Sequence, residues 1–153
     1  MTDTAMDSRW IFNNPRHSNA MHKGNIENTS SDGSMLHYFV GSVEVKKLVT
    51  DAISKEVETY LVAFSKGART KLHYHETDQI LLATKGRGRV VLQGKVSLEG
   101  GSVARVSMDD THDMREGDYV CVPAYVWHWH GAAEGEDFAH LQMKKPGRTT
   151  WLE

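Results

Sequence analysis

The stretch GARTKLHYHETDQILLATKG, Gly67 to Gly86, sets His73 and His75 one residue apart and follows His75 four residues later with Gln79. Alternate residues of a strand point to one face, so His-Tyr-His on a strand aims both imidazoles the same way. Gln79, after the turn residues ETD, opens the next strand and can face back toward the same interior. Far downstream, YVWHWH repeats the device: His128 and His130 share one face, Trp127 and Trp129 the other. Three imidazoles and an amide oxygen can thus converge inside a barrel. That is metal chemistry: imidazole suits zinc, copper, iron and nickel, and an oxygen ligand extends the range toward manganese.

The elements that must position these residues are short strands. From Met35 onward, runs such as SVEVKKLV, VETYLVAF, TKLHYH, QILLAT, GRVVLQG, SVARVSM, DYVCVP, YVWHWH and FAHLQM alternate with glycine-rich or acidic turns. This spacing predicts an all-β sandwich or barrel, with TKGRG read as a turn between two strands. Residues 1–34, rich in Asn, Ser and Gly, read as a tail, poorly ordered in part or swapped onto a partner. Trp10, Ile11 and Phe12 are its one apolar spot. The cupboard of 153 residues holds one domain, placed at 35–147, with a short C-terminal tail at 148–153. Strands apolar on both faces, such as YLVAF and QILLA, predict a homodimer.

A formal net charge of −2 offers no basic field for nucleic acid or an anionic membrane. No apolar run reaches the length of a membrane span, so a cytoplasmic protein is expected. Cys121, the single cysteine, permits no internal disulfide and reads as a small buried hydrophobe. Arg69 and Lys71 share parity with His73 and are candidates to hold an anionic small-molecule substrate at the rim. Tyr60, Val62 and Phe64 are candidates for the cavity wall. Trp127 and Trp129 are expected to fill the space between sheets or a dimer contact. The acidic cluster MDDTHDM, read as a solvated loop, is not taken as a second metal site.

Two motifs carry a family resemblance. Gly67-x5-His73-x-His75-x3-Gln79-x6-Gly86 resembles the first cupin motif, with glutamine in the usual glutamate slot. Gly117-x5-Pro123-x-Tyr125-x2-His128 resembles the second, with Tyr125 where glycine is common and Ala132 where asparagine is often found. The resemblance spans roughly residues 36–146 and implies an all-β, single-domain jelly-roll barrel with His73, His75, Gln79 and His128 as ligands of one divalent ion (manganese, iron, nickel or zinc). The stretches GARTKLHYH, REGDYVCVP and HWHGAA are similar to small cupins of the manganese hydroxynitrile lyase type and to carboxymuconolactone-decarboxylase-related cupins. The run from 95 to 116 is longer here than in short members, and is expected to extend a hairpin over the cavity mouth.

The resemblance implies a metal-dependent enzyme, with Lewis-acid lyase chemistry on a carbonyl or hydroxyl substrate. The alternatives are a metal-dependent dioxygenase and a cupin that binds a metal or small molecule without turnover. His130, on the face of His128, is the candidate proton carrier, and His140 is a second candidate by resemblance. Three neutral imidazoles and a neutral amide leave a divalent ion its full charge, which favours an anionic guest. Ligand histidines must be neutral to bind, so metal occupancy is expected to fall as pH drops through the ordinary histidine range near 6.5.

Overall fold

The computed structural model describes residues 21–99 and 102–152. Trp10, Ile11 and Phe12, and with them the expected docking of the tail on a partner, lie outside the described residues. The strands are β1 (Phe39–Val40), β2 (Val43–Val49), β3 (Glu58–Phe64), β4 (Arg69–Thr70), β5 (His73–His75), β6 (Gln79–Glu99), β7 (Ser102–Arg115), β8 (Tyr119–Val122), β9 (His128–Ala132), β10 (Phe138–Lys144) and β11 (Thr149–Trp151). The helical residues among those described are the single 3-10 turns Ile26–Asn28 and Leu36–Tyr38, so no helix is long enough to cross a membrane.

The strands form an all-β jelly-roll barrel of two layers, every described pairing antiparallel. One layer runs β2-β3-β10-β6-β8; the other joins β7, β6, β9, β4 and β1, with β5 and β11 attached through β9. Val45, Val62, Phe64, Leu81, Val90 and Phe138 fill the space between them, each at most 5% exposed. Their burial follows from alternation: inward positions of each strand are apolar or carry the site, outward ones are polar or half-buried.

β6 belongs to both layers, and here the structure departs from the sequence reading. QILLAT and GRVVLQG are one continuous 21-residue strand; TKGRG is no turn. Its glycines serve close approach instead. Gly86 has φ +72°, and a Cβ there would lie 2.0 Å from the Asp137 carbonyl oxygen. A Cβ on Gly88 would lie 2.4 Å from the Phe138 ring and 2.5 Å from the Gly131 carbonyl. Two bare positions let β6 cross from one layer to the other against β9 and β10.

Other expectations shift in the same way. Residues 149–151, placed in a C-terminal tail, form β11 on β5, with Thr149 opposite His75 and Trp151 opposite His73. The described part of the N-terminal segment runs beside β2, with Asp32 N–H donating to the Val45 carbonyl and Asp32 pairing with Lys47 at 2.9 Å. Cys121 is exposed rather than buried, because Val120 and Val122 take the inward parity of β8. Trp127 and Trp129 sit half-buried on the outer face, packed on Tyr74 and under the Arg69 guanidinium, and do not fill the space between the layers. The 95–116 run is a β6–β7 hairpin, and none of residues 110–116 lines the cavity. Asp110 and His112 lie on that strand rather than in a loop, as an exposed 2.8 Å pair.

Candidate metal centre

β5 and β9 are neighbours, with His73 directly opposite His128. His75 shares the inward parity of His73, and both are buried. The ligand nitrogens of His73, His75 and His128 lie within 4.8 Å of one another. Gln79, the first residue of β6, is also buried and brings its Oε1 to 3.2 Å from His128 Nε2.

The hydrogen bonds around these four fix which atoms face inward. His73 Nδ1 donates to the Lys71 carbonyl and His128 Nδ1 to the Val126 carbonyl, each at 2.8 Å, so both rings present an Nε2 lone pair. His75 Nδ1 meets Thr149 Oγ1 at 2.8 Å, and its buried Nε2 has no partner among the described residues. Gln79 Nε2 donates to Gln142 Oε1 at 3.0 Å, which leaves Oε1 as the inward atom. Gln79 Oε1 and His128 Nε2 are thus two acceptors face to face. Four acceptors converging without a donor are costly in a dry interior unless a cation lies between them. Three imidazoles and an amide oxygen fit one divalent transition metal ion, and the fit does not choose among manganese, iron, nickel and zinc.

Burial holds these imidazoles neutral. It pushes His73 well below the usual histidine range, with His128 and His75 adding repulsion. It takes His75 down to about 3 and His128 to about 4. The expected loss of ligands near pH 6.5 is therefore displaced to lower pH: in the folded protein these rings are ready to bind far below that value.

The adjoining cavity, about 190 Å³, is walled by both layers. His130 and His140 reach it from β9 and β10 and bond to each other, Nδ1 to Nε2, at 2.9 Å. Both are buried, and desolvation lowers both, His140 to about 3 and His130 well below the usual range with His140 adding repulsion. His140 Nδ1 has no hydrogen-bond partner among the described residues. Phe64 packs on both rings. Of the three wall candidates, Tyr60 and Val62 line the cavity, whereas Phe64 does not and packs in the core. Neither does Arg69 line it. Residues 71 and 72 break the strand between β4 and β5, so parity does not carry across; Thr70 faces inward and Arg69 lies over Trp129, 5.3 Å from the ring centre. Lys71 is exposed. Tyr125, in the slot where glycine is common, has φ +63° and donates its N–H to the His75 carbonyl. Its left-handed backbone explains that preference for glycine.

Sequence reasoning overlooked the residues behind and across from the ligands. Trp151 packs at a tilt on His73, ring centroids 4.3 Å apart, and stacks on Tyr38 at 4.3 Å. Gln142, Glu58 and Lys144 line the far wall. The parity of FAHLQMK, which puts Gln142 and Lys144 on the face of His140, was the available signal.

Comparison with known proteins bears on this geometry directly. The cupin domain family model matches residues 60–142. The chain is 31% identical over 119 residues to an (R)-mandelonitrile lyase of Granulicella tundricola, covering 76% of this chain and 80% of that protein. A crystal structure of a cupin-like protein from Thermotoga maritima superposes with a TM-score of 0.65 at 33% identity, over 84% of this chain and 89% of the other. An oxalate decarboxylase of Lactobacillus farciminis, in a formate complex, shares the fold at 14% identity and a TM-score of 0.62, over 83% of this chain and 34% of its own length.

Proposed function

The chain belongs to the cupin family, and from that premise we propose that it is a metal-dependent enzyme acting by lyase-type chemistry on a small molecule with a hydroxyl or carbonyl oxygen. The observation that carries this reading is the set of four inward acceptors, His73, His75, His128 and Gln79, beside a cavity that also holds a buried imidazole pair. When bound, a divalent ion supplies Lewis acidity toward the substrate oxygen.

His130 takes the proton of the substrate hydroxyl and returns it to the product. Its bond to His140 holds the ring in place and orders its protonation, since one ring must donate and the other accept. Burial keeps both rings neutral at pH 7, so His130 is free to accept, but it also weakens the ring as a base, and the hydroxyl would have to be made more acidic by a bound ion. Val62 and Phe64 keep water from the reacting atoms. The likeness to an (R)-mandelonitrile lyase supports cleavage of a cyanohydrin to an aldehyde and cyanide as the first reaction to assay. A homodimer is part of the same proposal, and light scattering at micromolar protein should return twice the chain mass.

The test joins metal analysis to turnover. His75→Ala and His128→Ala should lose metal and activity together. His130→Ala should keep its metal and lose about 10²–10⁴-fold in rate, the usual contribution of a placed proton carrier. Full turnover by metal-free protein would remove the proposal.

A further inference from the structure

We propose that Lys144 is an anion-binding subsite of the same cavity and that the substrate is a small carboxylate with an oxygen on the adjacent carbon, a 2-hydroxy or 2-oxo acid. This rests on the enzyme reading above and narrows its substrate. The Lys144 side chain is 5% exposed, and its Nζ lies 2.8 Å from Oε1 of Glu58, itself 16% exposed. Both residues line the cavity. An ion pair taken out of water gains little over a well-packed apolar pair of similar volume, so fold stability does not account for this one.

Register places the pair. Lys144 on β10 is directly opposite Glu58 on one side and Gln79 on the other. Adjacent strands are about 4.8 Å apart, so the Lys144 backbone is one strand away from that of a candidate ligand residue, and both side chains line the same cavity. An ammonium has three donors: one goes to Glu58 and another to the Lys145 carbonyl at 3.4 Å, and no third acceptor is found among the described residues. Tyr60, two residues from Glu58 on the same face, is pushed up to about 12 by burial and by the Glu58 charge, so its phenol stays a donor. Donors therefore gather on one side of the cavity, and the acceptors His73, His75 and Gln79 on another.

Charge names the guest. An imidazole binds a metal only when neutral, the amide carries no charge, and Glu58 cancels Lys144, so a bound divalent ion would stand uncompensated. An anion is favoured. A guest that serves both the ion and Lys144 needs two oxygen functions, and in a cavity of about 190 Å³ a short acid supplies them: a hydroxyl or carbonyl for the ion and a carboxylate for Lys144.

The probes are glycolate and its uncharged isostere glycolamide, titrated calorimetrically into manganese-loaded and metal-free protein, with metal content measured on every sample. Glycolate should bind the loaded protein about 10–100-fold tighter than glycolamide, the range of a buried charge-assisted hydrogen bond. Lys144→Met should cut the preference about tenfold at unchanged metal content, leaving the share that the ion's own charge supplies, and Lys144→Arg should keep most of the preference. Metal-free wild-type protein should still prefer glycolate by at least about threefold. Absence of that preference overturns the subsite even where Lys144→Met does not fold. So does a Lys144→Met protein that holds metal and keeps the full wild-type preference, because the ion alone then reads the charge. Wild-type protein that takes up no metal, yet prefers glycolate in a Lys144-dependent way, removes the proposed enzyme and leaves the subsite standing.

Discussion

The two walls of the cavity are made of different material. The wall from β5, β9 and β11 presents uncharged imidazoles, each steadied by a backbone carbonyl, a hydroxyl or a packed ring. The wall from β3 and β10 presents His140, bonded across the cavity to His130, Gln142, which accepts from Gln79, and a Lys–Glu pair closed within the wall. The first wall wants a cation among its lone pairs. The second wants an acceptor for its donors. The two meet at Gln79, whose oxygen faces the imidazoles while its nitrogen bonds to Gln142.

The largest expected effect is a response to acid that both walls share, with four histidines on the first and His140 on the second. Five buried histidines, His73, His75, His128, His130 and His140, all have lowered folded-state values. Their unfolded value is about 6.5. Each contributes stability fully above pH 6.5, and loses it as pH falls toward the folded value, since the unfolded chain binds the proton first. At pH 5 this is about 2 kcal/mol for each of His75, His128 and His140 and about 6 for the three, with His73 and His130 acting in the same direction, a large part of the stability of a domain. Metal-free protein should therefore unfold near pH 5 in a steep transition, followed by circular dichroism, and added metal should move that transition to lower pH. A transition without such steepness would mean that the imidazoles are not held dry.

This difference between walls also explains what could be read in the sequence. His73 and His75 are legible because strand alternation acts within three residues, and HWH repeats it. Lys144, Gln142 and Glu58 meet through pairing of strands more than 70 residues apart in the case of Glu58, a register that alternation does not supply. Arg69 shows the limit from the other side: two irregular residues between β4 and β5 were enough to reverse its facing. Thr149 and Trp151 fall in the segment that the sequence reads as a C-terminal tail, although TTW has strand character and pairs residue for residue with HYH. Glycines in TKGRG looked like a turn because bare Cα positions serve turns and close crossings alike.

A smaller effect tests how each wall is steadied. Thr149→Val keeps the shape of the side chain and removes the Oγ1 that meets His75 Nδ1. Metal affinity, titrated against a competing chelator, should fall about 10–100-fold, as it does when the partner of a ligand imidazole is lost. Gln142→Leu on the opposite wall strands the Gln79 amide nitrogen, which should cost about 1–3 kcal/mol of fold stability in urea unfolding as well as metal affinity. If Thr149→Val bound metal as well as wild type, β11 would be mere edge closure.

The smallest change is made where the walls meet. Gln79→Glu exchanges an amide for a carboxylate of the same shape at a buried position between His128 and Gln142. The oxygen facing His128 becomes charged, and the former amide nitrogen becomes a second acceptor opposite Gln142 Oε1. Gln142 can answer by turning its own amide end for end, so that Nε2 donates, because the two ends differ little in size. The fold should thus accept the change once metal is present. One unit of the ion's charge is then neutralised inside the cavity. Metal affinity should rise about tenfold, and affinity for anions such as glycolate should fall by a similar factor, each being an interaction of about 1.4 kcal/mol. The two shifts must go in opposite directions, since the same charge attracts the ion and repels the anion. Calorimetric titration of metal and then of glycolate into the Gln79→Glu protein measures both, and tighter anion binding would show that charge does not govern the guest.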